Sequence, residues 1–156
     1  RAQKDEELGA RFAVVLKERI GADHPSASPA FATGAVKLLK DRVQFEHDFY
    51  ETGKYLFEAP ESYDEKVIAK RWNDKAKTFF LALPDQLSGV AGYTAEETKA
   101  AFEQLAISQG LKPGDVLQLF RVIVSGQGSG IDLFGMVELL GKQEVNSRIQ
   151  RALDRL

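Results

Sequence analysis

The chain has 156 residues, which is enough for one helical domain or two small ones with a sizeable hydrophobic core. It contains no cysteine, which excludes disulfides and thiolate chemistry, and its net charge of −2 gives no global attraction for a polyanion. Hydrophobic residues make up 44% of the chain, yet no apolar run approaches the roughly 20 residues that a membrane helix needs. Any nucleic-acid surface must therefore be a local patch.

The beginning of the chain, RAQKDEELG, has neither an initiating methionine nor the apolar segment of a signal peptide. We therefore expect a piece of a longer or processed polypeptide. The lack of cysteine agrees with a reducing compartment, so a cytoplasmic location is expected, and nothing in the pattern predicts a membrane partner.

The first part of the chain has the periodicity of two helices. Apolar residues recur at three- and four-residue spacing over residues 5–20 and again over 29–50. Ser28 followed by Pro29 is a typical helix start. Three basic residues lie off the apolar stripe of the second helix or at its edge: Lys37, Lys40 and Arg42. On the pattern alone, such residues most often form a solvated helix face.

The middle of the chain predicts a domain boundary and a long helix. Pro60 follows a short apolar segment, so we expect one helical subdomain over residues 1–60 and a second over 61–156. Asp64 can cap a long amphipathic helix, because it directly precedes a helical apolar stripe. Pro84 should break or kink that helix, since proline lacks the N–H that a helix interior needs.

The last third of the chain predicts four helices. Residues 94–97 (TAEE) form a capping box that opens the first, which ends at Gly110. The second contains Phe120, and the third and fourth meet at Gly141, after which the pattern stays helical. We find no strand pattern. The sequence therefore predicts an all-α fold of two packed helical subdomains without a sheet.

Between the second and third of these helices lies a glycine-rich stretch, GQGSG, at residues 126–130. Arg121 precedes it within an apolar run, where an unpaired buried charge would cost several kcal/mol. A site that binds an anionic or hydrogen-bonding ligand would have a use for this arginine. A phosphate loop would need a preceding strand and a following Lys-Ser/Thr pair, and both are missing. The glycines instead fit a connection whose backbone comes close to a ligand.

No set of residues predicts a catalytic or metal site. His24 and His47 lack partners at the spacing of metal ligands or of a nucleophile and its base. The carboxylates do not pair at a spacing typical of acid–base catalysis. The residues alone therefore indicate a binding domain rather than an enzyme active site.

Several short motifs, in this order and spacing, resemble the C-terminal region of bacterial glutamyl-tRNA synthetases. The most specific are GLKPGDVLQ (110–118), RVIVSG (121–126), LF (133–134) and ELLGK (138–142), with RIQRALDRL (148–156) closing the chain. Earlier in the chain, LLKDRV (38–43), YLF (55–57) and YD (63–64) agree as well. The resemblance covers essentially the whole chain.

The resemblance implies the all-helical anticodon-binding part of a glutamate–tRNA ligase, a class I aminoacyl-tRNA synthetase. The catalytic domain of that enzyme, which uses ATP and Mg²⁺, would lie upstream of this chain. The chain itself would carry no catalytic residue, metal or cofactor. Its implied partners are the anticodon loop of tRNA(Glu) and the catalytic domain of the same polypeptide, in a monomeric enzyme.

The same resemblance implies which residues meet tRNA. Arg121 matches the family arginine that contacts an anticodon base, and Arg42 matches the one that reads the third anticodon base and separates glutamate from glutamine tRNAs. Three positions of the Arg121–Leu133 loop match backbone and apolar contacts to bases: Gly130, Ile131 and Leu133. Candidates for phosphate contacts are Lys37, Lys40 and Arg148. Arg42 and Arg121 are thus expected to project toward one strip of RNA.

A different function stays open on the sequence alone. The same apolar stripes would serve a helical protein-interaction or scaffold domain that binds no RNA. Salt-dependent binding of tRNA(Glu) separates the two functions, because only the first requires contacts with phosphates.

Overall fold

A computed structural model describes residues 2–20, 28–40, 53–128 and 131–156 of the chain. Every regular element in these ranges is a helix, and none of the described residues lies in a strand. The prediction of an all-α fold is confirmed. The chain divides into two compact units, Arg1–Glu58 and Ala59–Leu156, which are described separately below.

The first unit contains three described helices: α1 (Ala2–Ile20), α2 (Pro29–Leu39) and α3 (Lys54–Phe57). The predicted start of α2 is confirmed, because the Oγ of Ser28 accepts a hydrogen bond from the N–H of Phe31 at 3.2 Å. The ring of Phe57 lies 5.4 Å from that of Phe12 and 5.9 Å from that of Phe31, measured between centroids. The short helix α3 therefore packs against both longer helices. The predicted continuation of α2 to residue 50 falls outside the described residues.

The second unit contains five described helices: α4 (Glu65–Arg71), α5 (Asp74–Ser88), α6 (Ala95–Ser108), α7 (Pro113–Ser125) and α8 (Leu133–Arg155). Their core is a cluster of buried phenylalanines from four of the helices: Phe79, Phe80, Phe102, Phe120 and Phe134. Phe102 lies at its centre, with ring centroids at 5.0 Å from Phe79, 5.2 Å from Phe120 and 5.6 Å from Phe134. Because Phe120 is buried in this cluster, it fixes the rotation of α7 about its own axis.

The long helix predicted to start after Asp64 is two helices instead. Asp64 caps α4 as expected, and its Oδ1 accepts hydrogen bonds from the N–H groups of Lys66 and Val67. The helix ends at Arg71, however, and Asn73 caps α5 by accepting the N–H of Ala76 at 2.8 Å. An asparagine side chain competes with helix continuation in this way, which the apolar periodicity does not show.

Pro84, which was expected to break or kink the helix, does not break it, because α5 continues to Ser88. Proline removes one intrahelical hydrogen bond, but Leu83 and Leu87 on either side of it are completely buried. Burial of these side chains offsets the missing bond. The predicted meeting of two helices at Gly141 is confirmed: this residue interrupts α8 with φ 84° and ψ 167°.

None of the helices described here is long and apolar enough to cross a membrane. Within the same residues, no group of three or more His, Asp or Glu side chains could hold a metal ion.

Candidate nucleic-acid interface

Polar residues on one side of α7 hold the segment that joins α7 to α8. We call the described residues of this segment, 126–128, 131 and 132, the α7–α8 connection. Gln118 Nε2 donates a hydrogen bond to the carbonyl of Gly128 at 3.4 Å, and Arg121 Nη1 donates to the carbonyl of Ile131. Ser125 Oγ accepts the N–H of Gln127 at 3.2 Å. Since Gln118, Arg121 and Ser125 follow at helical spacing, one edge of a helix fixes the backbone that comes after it.

Gly126 ends α7 and packs tightly against an earlier part of the chain. It has φ 80°, and its N–H donates to the carbonyl of Val122 at 2.6 Å. Its own carbonyl accepts the N–H of Asp64 at 3.0 Å. A Cβ atom at this position would lie 2.7 Å from the carbonyl oxygen of Ser62. Both the left-handed backbone and the lack of space therefore require glycine here.

Replacing Gly126 with alanine should destabilise the chain more than the same change at Gly110. Both glycines have positive φ, but the space around a Cβ at Gly110 is empty to 4 Å. Gly110→Ala is expected to cost about 1 kcal/mol for the backbone conformation alone. Gly126→Ala should cost about twice that, because Ser62 must also move. Urea unfolding of both variants measures the difference, and equal costs would show that the close approach at Gly126 carries no energy.

Arg71 of α4 orients the side chain of Gln118. Its Nε donates to Gln118 Oε1 at 2.9 Å, and its Nη1 donates to Asp115 Oδ1 at 3.1 Å. The Gln118 amide consequently accepts from Arg71 on one side and donates to Gly128 on the other. Arg71 thereby connects α4 to the α7–α8 connection through one side chain.

Arg121 is partly buried and already makes one hydrogen bond within the fold. One of its five N–H groups holds the carbonyl of Ile131. No carboxylate forms an ion pair with Arg121 in the part of the chain that the structure describes. An arginine with donors to spare and a planar guanidinium can hydrogen-bond or stack on a further group. This placement explains how a charge fits into the apolar run without being sealed in the core.

Two further predicted contact residues have buried side chains. Ile131 is 3% exposed and Leu133 is 2% exposed. Asp132 lies between them and caps α8, accepting the N–H of Gly135 at 3.1 Å. Ile131 and Leu133 can therefore face a ligand through the backbone only, while their side chains fix the connection to the core. Gly130, predicted to act with them, lies outside the described residues, as does Arg42.

The three candidates for phosphate contacts differ in accessibility. Lys37 is exposed in the last turn of α2. Lys40 is half-buried, with its Nζ 3.0 Å from Oδ2 of Asp5. Arg148 is only 1% exposed, so the expectation that it meets a phosphate is corrected. It donates instead to the carbonyl of Val124 at 2.8 Å and to a carboxylate oxygen of Glu144 at 2.7 Å.

Burial lowers the pKa of Arg148, and the hydrogen bond and charge of Glu144 oppose that shift. The guanidinium keeps its charge at neutral pH, because an arginine does not deprotonate in a protein. Its position beside Val124 places that charge at the C-terminal end of α7. A cation there is favoured, since the last carbonyls of a helix carry partial negative charge.

Sequence reasoning missed Gln118 and Arg71. Gln118 had a usable signal, because it lies three residues before Arg121 and therefore on the same edge of α7. Arg71 had none: it precedes Gln118 by 47 residues, and only the packing of α4 against α7 brings them together.

An all-helical domain with an arginine beside a glycine-bearing helix connection agrees with the family to which the chain belongs. The chain is a member of the anticodon binding domain family, which it matches over residues 11–153. The resemblance predicted from the motifs is confirmed.

The similar proteins are glutamate–tRNA ligases. Those of Chlorobium chlorochromatii and Phocaeicola vulgatus are 32% and 34% identical over 149 and 152 residues. A crystal structure of the ligase from Elizabethkingia meningosepticum, solved with its amino acid, superposes with a TM-score of 0.86 at 32% identity over 97% of this chain. The structure of the Elizabethkingia anophelis enzyme gives 0.82 at 31% identity over 96%. This chain spans only 28% to 29% of the length of these four proteins.

Proposed function

We propose that this chain is the part of a glutamate–tRNA ligase that recognises the anticodon of tRNA(Glu). The observation that carries the proposal is the position of Arg121 in a member of the anticodon binding domain family. This arginine lies at the edge of α7, is partly exposed, and holds the backbone of Ile131 with one donor while others stay available.

Unpaired anticodon bases are recognised on their edges and faces. They can be splayed apart, hydrogen-bonded by side chains or backbone groups, and stacked on planar groups. The guanidinium of Arg121 offers both a stacking face and directed N–H donors. Backbone groups of residues 131–133 would add contacts, and Arg42 would read the third base. Of the two lysines proposed for phosphate contacts, Lys37 is exposed and Lys40 is half-buried, so Lys37 is the more accessible candidate.

The remaining steps of the reaction would take place elsewhere in the polypeptide. Aminoacylation needs ATP and Mg²⁺, but the described carboxylates of this chain form no metal-binding group. The chain matches only 28% to 29% of the length of the ligases from Chlorobium chlorochromatii and Phocaeicola vulgatus, so ATP and Mg²⁺ would bind to a catalytic domain in the remaining part of such an enzyme. The chain would thus act as an anticodon-binding module of a monomeric cytoplasmic enzyme.

The test is binding of two tRNAs that differ only in the anticodon. Wild-type chain is titrated with tRNA(Glu) and with tRNA(Glu) carrying the anticodon of tRNA(Gln), at several salt concentrations. We expect tRNA(Glu) to bind at least about tenfold more tightly, since one lost base contact costs about 1–3 kcal/mol. Affinity should fall as salt rises, because phosphate contacts release counterions. Equal, salt-independent or absent binding of both tRNAs would favour a protein-interaction domain.

A further inference from the structure

We propose that Arg71 and Gln118 are positioning residues for anticodon recognition, and that they act by fixing the backbone of the α7–α8 connection. This inference rests on the proposed function. Neither residue needs to touch RNA for this role. Arg71 orients Gln118, and Gln118 holds the carbonyl of Gly128.

Arg71 holds the Gln118 amide in one orientation. A glutamine side chain in water rotates freely, and holding it in one rotamer has an entropic cost. Here Nε of Arg71 donates to Oε1 at 2.9 Å, which leaves Nε2 directed at the carbonyl of Gly128 at 3.4 Å. Without Arg71, the amide would lose the partner that fixes its orientation, and the longer bond to Gly128 would weaken.

The surroundings of Gly128 are crowded. A Cβ at this position would lie 2.9 Å from Cγ2 of Val67, 3.3 Å from Nε2 of Gln118 and 3.4 Å from Oδ2 of Asp64. The backbone of Gly128 therefore packs closely against Val67 of α4 and the side chain of Gln118, with no room for a Cβ. Because α4 supplies both Val67 and Arg71, this helix supports the connection by contact and by hydrogen bonding.

The hydrogen bond from Gln118 is paired with one from Arg121. Gly128 and Ile131 precede and follow residues 129 and 130 in the sequence, and the carbonyls of both are held from α7. The donors are Gln118 and Arg121, three residues apart on the same helix edge. Helix α7 therefore positions both the backbone groups proposed to contact the bases and Arg121, the side chain proposed to contact them. Such fixed spacing is what a base-reading site requires.

The Arg71–Asp115 ion pair adds little stability by itself. Side-chain exposures of 27% and 60% place it at the surface, where such pairs contribute at most about 1 kcal/mol. Arg71 therefore acts mainly by orienting the side chain of Gln118, and its replacement should leave the fold intact.

Four single variants and one double variant of the full chain test the proposal. Arg71→Ala removes the orienting fork, and Gln118→Met removes the bond to Gly128 at similar side-chain length. Arg71→Lys keeps the positive charge but loses the planar fork. Lys70→Ala is the matched control, because it removes an exposed charge from the same helix and leaves the fork in place.

The first measurement is amide hydrogen exchange at residues 126–128, 131 and 132 without RNA. Arg71→Ala, Arg71→Lys and Gln118→Met should each exchange about tenfold faster than wild type in this segment, since local opening becomes easier. Lys70→Ala should match wild type. Unchanged exchange in Arg71→Ala overturns the proposal, whatever the chain does with tRNA.

The second measurement is affinity for tRNA(Glu) against salt concentration. The two Arg71 variants and Gln118→Met should bind about tenfold more weakly, with the salt slope of wild type. The double variant Arg71→Ala/Gln118→Met should bind no more weakly than Gln118→Met, because the two residues act in series. Full affinity in Arg71→Lys, or a slope reduced by about 1 in Arg71→Ala, would show a phosphate contact and overturn the positioning role. Absence of tRNA binding by wild type would overturn the proposed function, while exchange still decides whether the pair holds the connection.

Discussion

Replacing Arg148 with alanine should lower the free energy of unfolding by about 3 kcal/mol. The change leaves the buried carbonyl of Val124 without its donor, at a cost of about 1–3 kcal/mol, and opens a cavity where the long side chain was packed. Arg148→Met fills most of that volume, so it should cost about half as much. Urea unfolding monitored by circular dichroism measures both.

The matched control is Arg155→Ala on the same helix. Arg155 is exposed and donates to the carbonyl of Glu61 at 2.7 Å, so its loss should cost less than about 1 kcal/mol. If Arg148→Ala costs no more than Arg155→Ala, the buried contact with Val124 carries no net energy.

The burial of Arg148 could be predicted from helical periodicity but not from its residue type. Val145, Ile149 and Ala152 are buried on α8, and Arg148 falls on the same stripe by helical spacing. Its charge and the family resemblance suggested a phosphate contact, although the periodicity placed it inside. The buried partner that makes this tolerable, Val124, lies 24 residues earlier in the chain.

The local rules predicted helix ends better than helix lengths. Caps at Ser28 and Asp64 and the interruption at Gly141 follow from side-chain and backbone chemistry within a few residues. The end of α4 at Arg71 goes with the cap at Asn73, which apolar periodicity does not show, and the continuation of α5 through Pro84 depends on tertiary packing of the phenylalanine core. Propensity and periodicity cannot weigh that packing against a single cap or a missing hydrogen bond.

In the candidate site, too, local sequence predicts some features and tertiary packing determines others. Arg121 could be predicted, because a lone charge in an apolar run and a family motif both mark it. The hydrogen bonds that position the connection could not, since Gly126 is held by Asp64 and Gln118 is held by Arg71. These partners lie dozens of residues apart, and no local pattern relates them.

Replacing Arg121 with alanine should weaken binding of tRNA(Glu) by about ten- to a hundredfold, the loss expected for an arginine that contacts a base. Stability should fall by only about 1 kcal/mol, because one hydrogen bond to Ile131 is lost from a partly exposed position. The measurement is affinity for tRNA(Glu) and for the tRNA with the glutamine anticodon, at low and moderate salt. Unchanged affinity for tRNA(Glu) would show that Arg121 does not contribute to tRNA binding.

The ratio between the two tRNAs identifies the kind of contact that Arg121 makes. A base contact predicts that Arg121→Ala weakens tRNA(Glu) more than the altered tRNA, so that discrimination falls while the salt slope is kept. A phosphate contact predicts equal weakening of both and a slope reduced by about 1. A role confined to holding Ile131 predicts the behaviour of Gln118→Met: faster exchange in the connection and a loss no larger than that variant shows. Arg121→Lys separates the first two cases further, because a lysine restores a point charge for phosphate but lacks the planar fork for a base edge.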